Sequence, residues 1–469
     1  MAENKYQFYK EKFTARLPLG ESFDVLERSF TVAGRQGKMY FVDGLTDGDK
    51  VQLLLNFLLA EKNLQAPEAG TSAEEFIAVD YPFLDTLVTD NIETALKFLF
   101  SGLVPFILDG LDKIIIADAR SYPARSIEEP QKEKTLRGAK DGFNETYMDS
   151  IALVRRRIRD PRLIFKNFTV GKISKTDVSL VYMKGIADNG LVERLSKKIE
   201  DLDVDALTVT DQSLVEALLP AKKLGHFNPF PRVRYTQRPD IVCAHLTEGK
   251  LAIIVDNTPT VLLLPVEIFD FFHDIDDYYF PVVTGNYFRT LRLLNMLVIL
   301  FVSSIYLLLA EGDMVPPEGM EFIVPKKEFA IPIFWQFILL ELAIDGLKLA
   351  SLNTPESLGM SLSVIGALIL GEFSVDSGWF IPQTILVMAV VALATFTQPS
   401  IELSYGVKFL RIMSLVLCHI IGPWELAVSV ALMLLIIATT KTISGHSYLY
   451  PLLPFNWSLL KKLLFRTTK

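Results

Sequence analysis

The spacing of apolar residues along this chain changes near Tyr287. Before that point short apolar runs alternate with charged breaks; after it, long apolar runs are divided by brief polar interruptions. Residues 291–310 (LRLLNMLVILFVSSIYLLLA) carry one charge, Arg292, at the leading edge. About 20 apolar residues at ~1.5 Å rise each cover the ~30 Å of a bilayer core, so this run predicts a membrane span. Further apolar segments occupy 331–350, 358–373, 380–397, 407–421 and 424–440. The pattern predicts an α/β head of two related subdomains, then an all-α membrane domain of 4–6 spans over 289–442 and a basic tail over 443–469.

Within the head, 1–40 reads as a polar N-terminal segment, 41–150 as one α/β subdomain and 151–288 as a second. RQGKMYFVDGL (35–45) has the character of a strand entering a turn, and KVQLLLNFLL (50–59) the spacing of a short buried helix. Residues 71–80 read as a polar connector and 93–103 as another helix. VPFILDGLDKIIIAD (104–118) sets Asp109-Gly110 between two apolar runs, and Asp-Gly favours a hairpin turn. Roughly 147 residues later the plan returns in LAIIVDNTPTVLLLP (251–265), with Asp256-Asn257 at the turn. That recurrence predicts one subdomain centred on each hairpin. Between them lie a polar loop (121–146), a helix (145–159), a strand (178–185) and helices over 188–199 and 212–219, the last capped by Asp211 and ended by Pro220. Alternating strands and helices give the α/β class.

Composition narrows the function. At 469 residues the chain suggests roughly three folding units of ~150 residues. The opening MAENKYQFYKEKF has no apolar core and no small-residue cleavage site, which argues against a secretory signal and predicts a cytoplasmic head. A net charge of −8 gives no support for nucleic-acid binding, and two cysteines, Cys243 and Cys418, supply no disulfide framework. None of the five histidines sits at metal-ligand spacing, so no metal or cofactor is expected. His273 with Asp274, Asp276 and Asp277 reads as an acidic, solvated approach to the membrane. Without a nucleophile elbow, a Cys-His pairing, a zinc-protease motif or a Gly-rich nucleotide loop, the reading is not an enzyme.

Two polar clusters fall at membrane depth. Residues 358–373 (LGMSLSVIGALILGEF) place Gly359, Ser363, Gly366 or Ala367, and Gly371 at three- to four-residue intervals and end at Glu372. Such a small-residue stripe permits close helix packing. It equally suits a pore lining, in which Ser361 and Ser363 leave room for water and Val364, Ile365 and Leu368 form an apolar gate that closes by dewetting. Glu341, Asp345, Glu372 and Glu402 are too costly to face lipid and are expected to face protein, water or a cation path. Residues 331–350, with Glu341, Asp345 and Lys348, form the weakest span, and a re-entrant course there is the alternative; 407–421, interrupted at Gly422-Pro423, is then the segment expected not to cross. Arg289 and Arg292 precede the first span, Lys408 and Arg411 fall between the fourth and fifth, and Lys441, Lys461, Lys462, Arg466 and Lys469 follow the last. Six crossings put these on one side, with both termini cytoplasmic. So few helices do not enclose a channel alone, whereas a symmetric homo-oligomer does.

The head carries a further series of motifs: Arg125-Ser126-Ile127-Glu128-Glu129-Pro130, then RGAKDGF (137–143), LVRRRIR (153–159) with Arg155, Arg156 and Arg157, Phe230-Pro231, Gln237-Arg238-Pro239-Asp240, EGKLAIIVD (248–256) and Asp276-Asp277-Tyr278-Tyr279. In this order they resemble the GerA family of bacterial spore germination proteins, specifically the A subunit of nutrient germinant receptors, from about Phe41 onward. Asn257 stands where that family usually has Gly, and the polar N-terminal extension is shorter. The resemblance implies a subunit of an oligomeric, germinant-gated cation channel in the spore inner membrane. Its implied partners are a transporter-like B subunit that binds nutrient, a lipoprotein C subunit and membrane lipid. The other reading is a non-conducting scaffold that relays germinant binding to a separate channel. The residues themselves suggest ion pairing for Arg125, Glu128 and Glu129, with each other or with the 155–157 arginines. Arg155, Arg156, Arg157, Arg238, Asp240 and Asp277 join them as interface or coupling candidates.

Overall fold

The duplication announced by the two hairpins extends to whole subdomains in the computed structural model of this chain. Residues 5–32, 34–60, 72–78, 85–121, 133, 135, 137–219, 228–272, 274, 276–319, 321–325, 329–353, 364, 366, 368–440, 442–443, 445 and 447–464 are described. They divide into two compact units, the first Met1–Pro220 with Val233–Pro265 and the second Ala221–Arg232 with Val266–Lys469.

In the first unit the opening subdomain runs α1 (Lys5–Arg16), β1 (Val25–Val32), β2 (Arg35–Val42), α2 (Gly48–Leu59), α3 (Ala73–Ala78), β3 (Thr86–Thr89), α4 (Ile92–Leu99), β4 (Val104–Leu108) and β5 (Ile114–Ala117). The second repeats that course as α5 (Tyr147–Arg157), β6 (Leu163–Val170), β7 (Thr176–Met183), α6 (Asn189–Glu200), α7 (Thr210–Leu218), β8 (Arg234–Thr236), α8 (Pro239–Thr247), β9 (Leu251–Val255) and β10 (Val261–Leu264). The sheet orders correspond strand for strand, β1-β2-β4-β5-β3 and β6-β7-β9-β10-β8, and every pairing is antiparallel.

Local chemistry repeats as well. Asp47 caps α2 by accepting from Asp49 N (3.0 Å) and Lys50 N (3.3 Å), and Asp188 caps α6 by accepting from Gly190 N (2.9 Å). Gly102 after α4 and Gly249 after α8 both take positive φ, and a Cβ there would lie 2.6 Å from Leu45 O and 3.0 Å from Ile186 O. Only glycine lets these backbones meet so closely. At the second hairpin Asn257 adopts φ 63°, a left-handed conformation that asparagine tolerates.

Strands β4 and β5 are buried at every position. Their alternate side chains feed two cores: Ile107, Ile114 and Ile116 meet α1 and α4, while Phe106, Leu108 and Ile115 meet α2 and α3. Helices on both faces explain why these strands read as continuous apolar runs.

The structure departs from expectation at several places. Residues read as a polar opening segment supply α1, β1 and most of β2, with Tyr6, Tyr9 and Phe13 buried and Phe13 stacked on Tyr40 at 4.4 Å. Three aromatics among lysines and glutamates form one buried face that composition conceals. The connector at 71–80 contains α3. Helix α7 starts at Thr210 with Val209 as its N-cap residue, so Asp211 lies inside the first turn, accepting from Gln212 N at 2.9 Å.

The second unit contains α9 (Asp276–Tyr279), α10 (Val282–Glu311), α11 (Ile333–Asn353), a π-helical turn (Leu368–Phe373), α12 (Pro382–Phe396), α13 (Ile401–Ile421), α14 (Glu425–Thr439) and α15 (Trp457–Leu464). Among the described residues, α10 and the stretch Ile401–Trp424 are the two helices long and apolar enough to cross a membrane. At 15 residues each, α12 and α14 reach about 22 Å, short of a ~30 Å core. Residues 407–421, the segment expected not to cross if 331–350 is re-entrant, belong to one of the two long candidates, the helix that begins at Ile401.

Candidate functional site

Helices α11 and α13 carry charges that meet. Glu341 and Asp345 stand four apart on α11, Lys408 and Arg411 three apart on α13, so each pair lies on one helix face. Arg411 reaches Glu341 Oε1 through Nε (2.7 Å) and Nη2 (2.5 Å); Lys408 contacts Glu341 Oε2 at 3.2 Å and also pairs with Asp345. Glu341, Lys408 and Arg411 are buried and Asp345 is half-buried. Two carboxylates balance two cations, while Lys348 lies over the rings of Phe396 and Tyr405, 5.7 Å from each centroid. Expectation counted Lys408 and Arg411 with the basic groups between the fourth and fifth segments; the structure puts them well inside α13, facing the carboxylates. Glu402 does not join them. It sits exposed in the first turn of α13, accepting from Ser400 Oγ at 2.9 Å, where the helix dipole favours an anion.

Uncharged polar contacts bind the neighbouring helices. The hydroxyls of Ser304 on α10 and Ser414 on α13 lie 2.9 Å apart in a buried contact. Buried Gln336 on α11 donates to Ile331 O (2.8 Å) and accepts from Ile381 N (3.1 Å) and Thr384 Oγ1 (2.8 Å) at the start of α12. Sequence reasoning missed these residues: an isolated Ser or Gln in an apolar run gives no local sign of its partner.

Of the candidate gate residues, Ser361, Ser363 and Ala367 lie outside the described residues. Val364 is 55% exposed and Gly366 is buried; a Cβ on Gly366 would meet both Leu347 methyls at 3.0 Å. Two positions apart on a helix point in nearly opposite directions, so Gly366 packs on α11 while Val364 faces outward. Gly371, in the π-helical turn, has nothing within 4 Å of its Cβ position, and Glu372 beside it is exposed.

At the start of α10, buried Asp277 receives Arg292 through two hydrogen bonds (2.6 and 2.7 Å), and Arg289 Nε lies 3.5 Å away. A Cβ on Gly285 would lie 2.4 Å from Asp277 O, a backbone atom that cannot swing aside. Gly285→Ala is expected to lower the stability of the detergent-solubilised chain by about 1–3 kcal/mol, the usual cost of overpacking, as read from thermal melting. An unchanged midpoint would show that the α9–α10 turn yields.

The head candidates form two separate clusters. Arg155 and Asp24 are both fully buried, joined by Nε–Oδ2 (2.8 Å) and Nη2–Oδ1 (3.0 Å) contacts. Arg155 also donates to Leu163 O (3.0 Å) and Asp160 O (3.2 Å) and lies over the rings of Phe100 and Phe165. Arg157 pairs with Asp141, and Arg156 is exposed. Arg125, Glu128 and Glu129 lie outside the described residues. Buried Arg238 holds Asp240 (2.7 and 3.1 Å), Glu133 O (3.0 Å), Thr135 Oγ1 (3.2 Å) and Ala139 O (3.0 Å). Burial pushes the Glu133 carboxyl above its ordinary range, against the hydrogen bonds it accepts from Gln237 N and Thr236. Burial likewise pushes the Cys243 thiol up to about 12, which leaves it protonated and unreactive at neutral pH. Among the described residues no group of three or more His, Cys, Asp or Glu is placed to hold a metal.

A family model described as Bacillus/Clostridium GerA spore germination protein matches residues 13–469. Stage V sporulation protein AF of Bacillus subtilis (strain 168) is 35% identical over 477 residues, covering 100% of this chain and 94% of that protein. Spore germination protein KA of the same organism is 26% identical over 456 residues, covering 96% and 82%. Among solved structures, the N-terminal domain of the A subunit of the Bacillus megaterium spore germinant receptor GerK3 aligns with a TM-score of 0.40 and 27% identity, over 55% of this chain and 91% of that one.

Proposed function

This chain belongs to the GerA family of spore germination proteins, and from that premise we propose that it is the A subunit of a membrane germinant receptor and oligomerises into a nutrient-gated cation channel. It resides in the spore inner membrane with its head and both termini cytoplasmic. A transporter-like B subunit binds germinant, and a lipoprotein C subunit completes the receptor.

One observation carries the membrane reading: where α11 and α13 meet, three charged side chains turn inward, while apolar side chains of α12 and α13 turn outward. Helix α12 exposes Leu386, Val390, Leu393 and Phe396, and α13 exposes Tyr405, Phe409 and Ile420, while Glu341, Lys408 and Arg411 are buried. Water as the surrounding solvent favours the opposite arrangement; hydrocarbon favours this one. The stretch at 364–373 supports the gate. It combines a helix-packing glycine, an outward valine, and a π-helical turn, a distortion frequent at functional sites.

Germination and resting ion leak in a size series test it. Gly366→Leu is expected to wedge against Leu347 and slow germination at least about tenfold, the rate factor for ~1.4 kcal/mol of added barrier. Val364→Gly is expected to raise the resting leak by removing an apolar constriction. Unchanged germination and leak across the series would remove this stretch as the gate.

A second reading is favoured by the α11–α13 ion pairs. Glu341 and Asp345 are occupied by Arg411 and Lys408, which suits a rigid, non-conducting scaffold better than carboxylates free to line a cation path.

A further inference from the structure

The segment after α14 is held to the protein at its ends and turned outward between them. Tyr448 and Leu449 are buried, and Tyr448 O accepts from Ile268 N at 3.0 Å. Further on, Leu460 is buried and Leu463 O accepts from Arg289 Nη1 at 3.4 Å. Between these anchors Phe455 (67% exposed) and Trp457 (61%) stand outward with Leu453, and Lys461 is exposed one turn beyond Trp457.

Charge sharpens the picture. No acidic residue follows Glu425, whereas Lys441, Lys461, Lys462, Arg466 and Lys469 do. Depth follows from Arg289. Helix α10 has 30 residues, about 45 Å, so its first turns extend past a ~30 Å hydrocarbon core, and Arg289 and Arg292 fall at its polar edge. The Arg289–Leu463 hydrogen bond sets α15 at that same level, where tryptophan and lysine are favoured.

We propose that Phe455, Trp457 and Lys461 form a docking surface for the anionic headgroups of the surrounding bilayer. The aromatic rings enter the interfacial layer and the Lys461 ammonium contacts phosphate. This rests on the membrane reading above and adds a lipid preference to it, since each basic side chain near an anionic surface favours it.

The test uses the full chain in bilayer nanodiscs, with Trp335→Phe, Trp379→Phe and Trp424→Phe leaving Trp457 as the single tryptophan. The quencher is lipid brominated high on the acyl chain, in phosphatidylcholine alone or mixed with phosphatidylglycerol. Trp457 fluorescence is expected to be quenched, more strongly with phosphatidylglycerol. That increment is expected to disappear in Lys461→Gln and at high salt, which screens surface charge. Equal quenching in both lipids overturns the proposal. So does the absence of quenching with Trp457 also shielded from aqueous iodide, which would place a protein surface over the segment. A control chain with Trp457→Phe and Leu297→Trp, on an exposed position of α10, separates the two premises. If that residue is quenched and Trp457 is not, only the lipid proposal fails; if neither is quenched, the membrane reading fails with it.

Discussion

Arg155→Ala is expected to destabilise the first unit by roughly 3–5 kcal/mol, the cost of leaving a buried partner charge uncompensated. Asp24 is fully buried, and apart from Arg155 its carboxylate accepts a hydrogen bond from the neutral Ser22 Oγ at 2.5 Å. The same guanidinium serves Leu163 O and Asp160 O, so two carbonyls lose a donor as well. Arg155→Lys keeps the charge but not the planar fork that spans both Asp24 oxygens, and most of the loss is expected to persist. Arg155→Met with Asp24→Leu removes both charges and is expected to recover more than half of it, since well-packed apolar replacement of a buried pair is often tolerated. The Arg155 helix belongs to one repeat, Ser22 and Asp24 to the other, and Phe23 N bonds to Phe165 O across them at 3.2 Å. Hydrogen exchange at the Phe23 and Phe165 amides of the full chain reads the effect locally. Protection in Arg155→Ala within about 1 kcal/mol of the unsubstituted protein would mean the pair does not join the repeats.

The repeats were legible because their signals are local. Asp109-Gly110 and Asp256-Asn257 each sit between apolar runs, and β4–β5 and β9–β10 form there, joined by antiparallel ladders. The edge strand β1 was not legible. Four consecutive exposed positions, Leu26 to Ser29, erase the alternation that marks a strand. The arginine run at 155–157 shows a different limit. Successive helical residues point about 100° apart, so a block of like charges in sequence is dispersed in space. Arg155 goes to the core, Arg157 to Asp141, and Arg156 outward. Which arginine is buried depends on Asp24, 131 positions earlier, and no local pattern carries that. Lys408 and Arg411 were recoverable: three apart, they complement Glu341 and Asp345 four apart. They were counted with the basic groups between the fourth and fifth segments, although both lie inside the 407–421 window and within the helix that begins at Ile401.

That complementarity sets the second large effect. Arg411→Leu is expected to cost roughly 3–5 kcal/mol, because Glu341 then keeps only Lys408, which is shared with Asp345. On the proposed membrane reading no water compensates the unpaired buried carboxylate, so the chain is expected to fall below the abundance of the unsubstituted protein in membranes. Glu341→Leu leaves the opposite excess, two cations against Asp345 alone, and is expected to do comparable harm. Glu341→Leu/Arg411→Leu together restore balance between Asp345 and Lys408, and abundance is expected to return. Germination and ion release in this double variant then separate the two functional readings. If the pair only fastens α11 to α13, both return with abundance, since leucines at one interface pack as well as a salt bridge. If breaking the pair is part of opening, the chain accumulates and assembles but germination stays defective or the resting leak changes. Failure of the double variant to accumulate better than either single one would show that the two side chains do not act on each other at all.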